Sequence, residues 1–189
     1  KGGRVDERGN AEFEALRIRS LLEVPEIRYN RLTLVGEEIA VGGGGIIEDV
    51  WQDKDEEGVV IDPDVYVLKM KLEEGEMLPF FLHDIIKGIY NQVGAFRTSW
   101  FRVSNVNHSE GTITVVMGNP AEVPGGSNYP PMPFMNIARI GNFVDEARQS
   151  SIFISAKEGS IYMLDKVDNY MSGVRSFQLG KPTGLEDVI

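Results

Sequence analysis

The side chains able to do chemistry are few in kind. The chain holds two histidines, His83 and His108, no cysteine, and 29 acids among 189 residues. His83-Asp84 is a His–acid pair adjacent in sequence. Neighbouring side chains on a strand point to opposite faces, so the two cannot serve one substrate together. No G-x-S-x-G elbow presents a nucleophilic serine to them. Asp84 fits a turn better, accepting backbone N–H bonds just before a strand. Glycoside hydrolysis needs two carboxylates held at a fixed separation in a cleft. Asp145, Glu146 and Asp165 lie near turn signals, and helix capping accounts for Asp145 unaided. Arg148-Gln149 follows that cap. The guanidinium can fork onto a carboxylate, Asp145 or Asp165, and Gln149 can bond exposed backbone, both as turn-stabilising groups. No catalytic residues are assigned, and the chain reads as no enzyme.

Metal and cofactor sites fare no better. Without cysteine there are no disulfides and no thiolate metal sites. Gly42–Gly45 invites a phosphate-loop reading, but that motif continues into Lys-Ser/Thr at a helix start. Here Ile46-Ile47-Glu48-Asp49 follows, which favours a hairpin turn or flexible loop. Asp53, Asp55 and Gly58 open like a calcium loop, and Val59-Val60-Ile61 removes the remaining ligands. Neither a cofactor nor a metal is expected. Tyr90, Trp100, Phe101, Tyr129 and Phe134 could stack on sugar rings. Trp100 and Phe101 sit in an apolar strand and read as core. Tyr129 and Phe134, in a Pro-rich stretch, are the candidates for a contact surface.

The net charge of −10 opposes a nucleic-acid-binding role, which needs a basic face to displace counterions. It equally opposes binding to an anionic membrane surface. No run of 18 apolar residues exists, so no membrane insertion is expected. The chain starts without Met or a signal-peptide core and reads as a piece of a longer protein.

Positioning falls to strands. The 21 glycines cluster at turns, favouring many short strands over long helices. Val65–Leu72 alternates cleanly, with Tyr66, Leu68, Met70 and Leu72 on one face. Phe96–Val106 and Thr112–Met117 read as a hairpin. The chain is organised around Asn136–Asp165. Ile137 and Ile140 lead to a Gly141-Asn142 turn signal. Asp145 caps one helical turn, Asp145–Gln149. Ser151–Ser155 resumes as strand, with Ile152 and Ile154 on one face and Phe153 on the other, and Ile161–Leu164 runs back. The expected fold is mainly β: a short-stranded barrel or sandwich with an extended N-terminal β segment and little helix. The expected division is a disordered tail at 1–10, extended β segments at 11–58, a compact β domain at 59–180 and a linker at 181–189.

Two stretches carry a resemblance. Arg8-Gly9-Asn10-Ala11-Glu12-Phe13-Glu14-Ala15-Leu16-Arg17-Ile18-Arg19, followed by Leu22-Glu23-Val24-Pro25-Glu26-Ile27-Arg28-Tyr29-Asn30-Arg31, resembles the start of a module in large tail proteins of phages and prophages of gut anaerobes. Ala138-Arg139-Ile140-Gly141-Asn142, Asp145, Arg148-Gln149 and Ile152–Ser155 resemble the "GN…D…RQ…I-hydrophobic-S" signature of the same tail-fibre or baseplate-associated proteins. Asp84–Gly88 sits where that family has a Gly-Asp turn, with His83 in place of the Gly. The resemblance implies a non-enzymatic structural or host-adhesion module of a virion tail, a homotrimer, with a cell-surface glycan or protein as receptor. It transfers no functional residues. A carbohydrate-binding module or glycan-acting surface protein is the alternative, and a partner-binding piece of a conjugation or secretion apparatus is a third reading.

Overall fold

The computed structural model describes residues 4–5, 11–12, 33–35, 38–41, 43–73, 75–92, 95–155 and 159–180. β1 (Arg4–Val5), within the expected tail, pairs with β2 (Ala11–Glu12), at the start of the expected extended segments. The remainder of that tail, the linker expected at 181–189 and residues 13–32 lie outside the described residues. The other strands are β3 (Thr33–Val35), β4 (Glu38–Val41), β5 (Gly44–Trp51), β6 (Val65–Met70), β7 (Asp84–Gln92), β8 (Ala95–Asn107), β9 (Thr112–Met117), β10 (Asn136–Asn142), β11 (Ser151–Ser155), β12 (Ser160–Asp165) and β13 (Val174–Gly180). The helices described are two 3₁₀ turns, Pro120–Glu122 and Glu146–Arg148. The fold is mainly β, as the strand periods and glycine turns predict.

Six antiparallel strands close into a barrel in the order β10-β5-β6-β9-β8-β7. Closure removes the edges that an open sheet would expose. The interior follows from the period of two: Leu68 and Met70 of β6, Phe101 and Val103 of β8, and Ile113 and Val115 of β9 all turn inward and are buried. Gly88 on β7 makes room for this filling, since a Cβ there would lie 2.4 Å from the Met135 sulfur.

The second half of the glycine run, Gly44 and Gly45, enters the barrel rather than a loop. Gly44 and Gly45 begin β5, where Gly45 faces Ile137 of β10. Through β5 the barrel also draws in residues on both sides of the division expected at residue 58. That division therefore does not coincide with the separation between the sheets.

The second sheet has the order β13-β12-β11-β4-β3. Its inner face packs on the outside of the barrel wall. Ile85, Trp100 and Ile140 from the barrel meet Phe153, Tyr162 and Val167 in a second core. Phe153 and Tyr162 stack with centroids 5.2 Å apart. β7 is thus covered on both sides at its start: Ile86 fills the barrel and Ile85 fills the layer between barrel and sheet. Such two-sided burial explains the consecutive apolar pair where an exposed strand would alternate. On β11 the faces divide as the sequence predicts, but the isoleucines are the exposed set. Phe153 and the small Ser151 and Ser155 turn inward.

Candidate functional site

Two features stand out as candidate sites: a buried polar node where the sheet joins the barrel, and an open cleft where β9 ends beside the middle of β8. The node is built by the signature residues. Asp84 opens β7 and is completely buried. Its Oδ1 accepts from Arg148 Nε at 2.8 Å and Asn142 Nδ2 at 2.9 Å. Its Oδ2 accepts from Arg148 Nη2 at 2.7 Å and the Phe81 backbone N–H at 2.8 Å. Four donors thus fill the four lone-pair sites of one carboxylate. The fork to Arg148 is the bidentate geometry that only a guanidinium offers. Arg148 also lies 4.3 Å over the Phe81 ring.

Asn142 spreads the node further. Its side-chain oxygen accepts from Val144 N at 2.9 Å and Asp145 N at 2.8 Å, and its amide nitrogen donates to Leu82 O at 3.0 Å. Gln149 Nε2 donates to the Asn142 carbonyl at 3.0 Å, and Val167 N donates to the Gln149 carbonyl at 3.0 Å. Asp145 caps the short helix by accepting from Ala147 N at 3.0 Å, as its position predicts. Arg139 donates to the Arg148 carbonyl. Burial, and then the neighbouring Arg148 charge, pulls the Arg139 guanidinium below its usual range.

Two expectations are corrected here. Arg148 forks onto Asp84, 64 residues away, and not onto Asp145 or Asp165. Asp165 instead accepts from Ser176 and Ser150, which hold its carboxyl below the usual range. Gly141-Asn142 ends strand β10 rather than turning the chain. A Cβ at Gly141 would sit 2.3 Å from the Val167 carbonyl oxygen, so close backbone approach selects the glycine. His83 takes φ 66, a left-handed conformation suited to the glycine of the resembled pattern. Its backbone bridges Val103 and Phe143, and its Nδ1 is buried without a partner. His83 and Asp84 therefore form no dyad: the carboxylate is saturated by other donors.

The candidate contact residues lie apart from this node. Tyr129 is half-buried, with Arg97 4.5 Å over its ring, and its carbonyl accepts from Ser99 Oγ at 2.6 Å. Phe134 is 81% exposed at φ 66, and its N–H donates to Ile47 O on β5. They hang from strands that are not neighbours in the barrel. Trp100 and Phe101 are buried core residues, as the sequence indicates. Asp53 and Asp55 sit in a solvated loop, where Asp55 Oδ1 accepts from Glu57 N and Val59 N. Among the described residues no cluster of three acids or histidines is placed to hold a metal.

The cleft, of about 640 Å³, has Arg102, Asn119, Glu122, Phe143, Tyr170 and Met171 in its walls. Its sequence signal is weak, because the walls come from distant turns and strand ends. Phe143 and Tyr170 meet edge to face at 5.3 Å, and Arg102 lies 5.5 Å over Phe143. Burial pushes the Tyr170 hydroxyl up to about 12, with Arg102 opposing and Glu122 adding to the rise. No protein-family model, curated protein or solved structure matches this chain. Among the described residues no helix is long and apolar enough to cross a membrane.

Two outcomes are expected. Arg148→Met leaves a buried carboxylate without its charge partner and should cost about 3–5 kcal/mol in urea denaturation. Arg148→Lys should recover little, because one ammonium cannot fork. Asp84→Asn combined with Arg148→Met should cost less than the two singles added together. For Tyr170, the folded state favours the protonated phenol. Its contribution is fully present below pH 10, where an unfolded tyrosine titrates, and is lost as pH rises towards about 12. Alkaline titration followed by tyrosinate absorbance should show a late component that Tyr170→Phe removes. The same variant should flatten the decline in stability across that window. Tyr66 is also raised, by burial and then Asp64, so the Phe variant assigns the signal.

Proposed function

We propose that this chain is a non-enzymatic structural or host-adhesion module of a phage-type tail fibre, associating with further copies of itself as a homotrimer. The observation that carries the reading is the outer face of the second sheet. Ile152 and Ile154 on β11, Ile161 and Met163 on β12, and Val174, Phe177 and Leu179 on β13 share that face by register. Phe177 is 50% and Leu179 62% exposed. Together they present one apolar face across three strands, and a contiguous exposed apolar patch of this kind marks an interaction surface. Among the described residues β13 is also an edge strand, with no neighbour on its outward side in the sheet.

A further copy of the chain suits this face on charge. Each copy carries −10, so copies repel wherever their acidic surfaces meet. Asp165 is the acid that the register adds to this face, and two serines hold it. An apolar patch of low charge is where like-charged copies can approach. The resemblance of the Gly141–Gln149 signature to tail-fibre proteins supports the same reading and suggests a virion tail as the location. The signature residues serve the fold by joining the sheet to the barrel, as a structural module would require. A cell-surface glycan or protein receptor, and the absence of nucleic acid from the partners, belong to the proposal.

Light scattering across a hundredfold concentration range tests it. A trimer is expected, and Phe177→Glu with Leu179→Glu should return it to monomer while the circular dichroism spectrum is kept. A wild-type chain that remains monomeric throughout, or a trimer indifferent to these substitutions, would count against self-association through this face.

A further inference from the structure

The cleft holds polar groups that the protein leaves unused. Among the described residues, the Arg102 guanidinium, the Glu122 carboxylate and the Tyr170 hydroxyl make no hydrogen bond or ion pair; Arg102 lies over the Phe143 ring, and its charge and that of Glu122 act on the Tyr170 hydroxyl. Asn119 gives its Oδ1 to Ala121 N at 2.9 Å and keeps its amide N–H groups free. The cleft therefore offers donors only (Arg102, the Asn119 amide), an acceptor only (Glu122) and one group of both kinds (Tyr170). The remaining wall is mostly apolar, with Phe143, the Tyr170 ring and Met171, which is 67% exposed; Asn169 also lines it, its amide engaged by Asp168 Oδ1 and the Met171 N–H.

We infer that this cleft binds a neutral carbohydrate, a segment of one to three pyranose rings. A ligand must satisfy donors and acceptors side by side and lay an apolar surface on aromatic and thioether groups. Sugar hydroxyls each donate and accept, and the C–H face of a pyranose is apolar. A simple anion would face Glu122 and the acidic chain; a simple cation would face Arg102. A zwitterionic amino acid matches both charges but is small for the volume. About 640 Å³ falls in the usual range for small-molecule sites, roughly 300–1,000 Å³. The arrangement is preformed: the 3₁₀ turn Pro120–Glu122 is capped by Asn119, and the Tyr170 ring is wedged against Trp100 and Phe143. The cleft residues named here are different from those of the outer sheet face, so the inference does not rest on self-association.

The test is a titration of the isotope-labelled chain, followed by amide chemical shifts. Maltose, cellobiose, lactose and N,N′-diacetylchitobiose are the probes, with glycine and leucine as zwitterionic controls. At least one disaccharide should give saturable shifts, with a dissociation constant in the millimolar range or tighter, centred on Arg102, Gly118, Phe143 and Tyr170. Arg102→Gln and Glu122→Gln should each weaken binding about tenfold. Ala121→Trp, at an exposed cleft position, should block it while leaving the rest of the spectrum in place. The inference fails if none of the four disaccharides gives saturable shifts at the cleft. It fails equally if only the amino acids do, or if sugar binding survives Ala121→Trp.

Discussion

A carboxylate with no solvent exposure must be matched by donors, and the way Asp84 is matched sets much of this architecture. Leaving a buried charge unpaired costs several kcal/mol, so the chain must bring Arg148, Asn142 and the Phe81 amide to one point. Those groups come from the approach to β7, the end of β10 and the 3₁₀ turn before β11. Satisfying one anion therefore fixes where the barrel wall ends and where the second sheet begins. Gly141 belongs to the same constraint, because only a residue without Cβ lets Val167 close over the strand. The hydrophobic layer of Ile85, Ile140, Phe153 and Tyr162 provides the bulk of the contact, and the ionic node gives it one registration.

This arrangement leaves two surfaces unfilled by the fold itself. The isoleucines of β11 face away from the barrel because Phe153 and two small serines occupy the inner side. The cleft lies where the segment carrying Tyr170 meets the end of β9 and Arg102 of β8, its ring anchored against Trp100 and Phe143. One surface suits association with like chains, and the other suits a small polar ligand.

Much of the local structure was legible in the sequence. The alternation in Val65–Met70, the hairpin of β8 and β9, the Asp145 cap and the two faces of Ser151–Ser155 all express short-range periods and turn chemistry. What stayed hidden was long-range. Arg148 offered no sign that its partner lay 64 residues away, and nearby Asp145 and Asp165 were the natural local choices. Gly141-Asn142 carries the composition of a turn, yet its cause is the approach of Val167 from another segment. The run at 42–45 looks like a loop because glycine lacks side-chain pattern, although Gly44 and Gly45 enter a barrel strand. Barrel closure itself depends on β5 meeting β10, a pairing with no local trace. The cleft leaves no local trace for the same reason, and Tyr129 and Phe134 stand out in the sequence through loop composition alone.

Native-state hydrogen exchange on wild type and Arg148→Met tests most directly whether the Asp84–Arg148 fork fastens sheet to barrel. If it does, the variant's amides in β11 and β12 should lose protection together, well before those of β6, β8 and β9. Equal loss across both sheets, or unchanged protection in β11 and β12, would contradict the account and leave the apolar layer as the sole fastening.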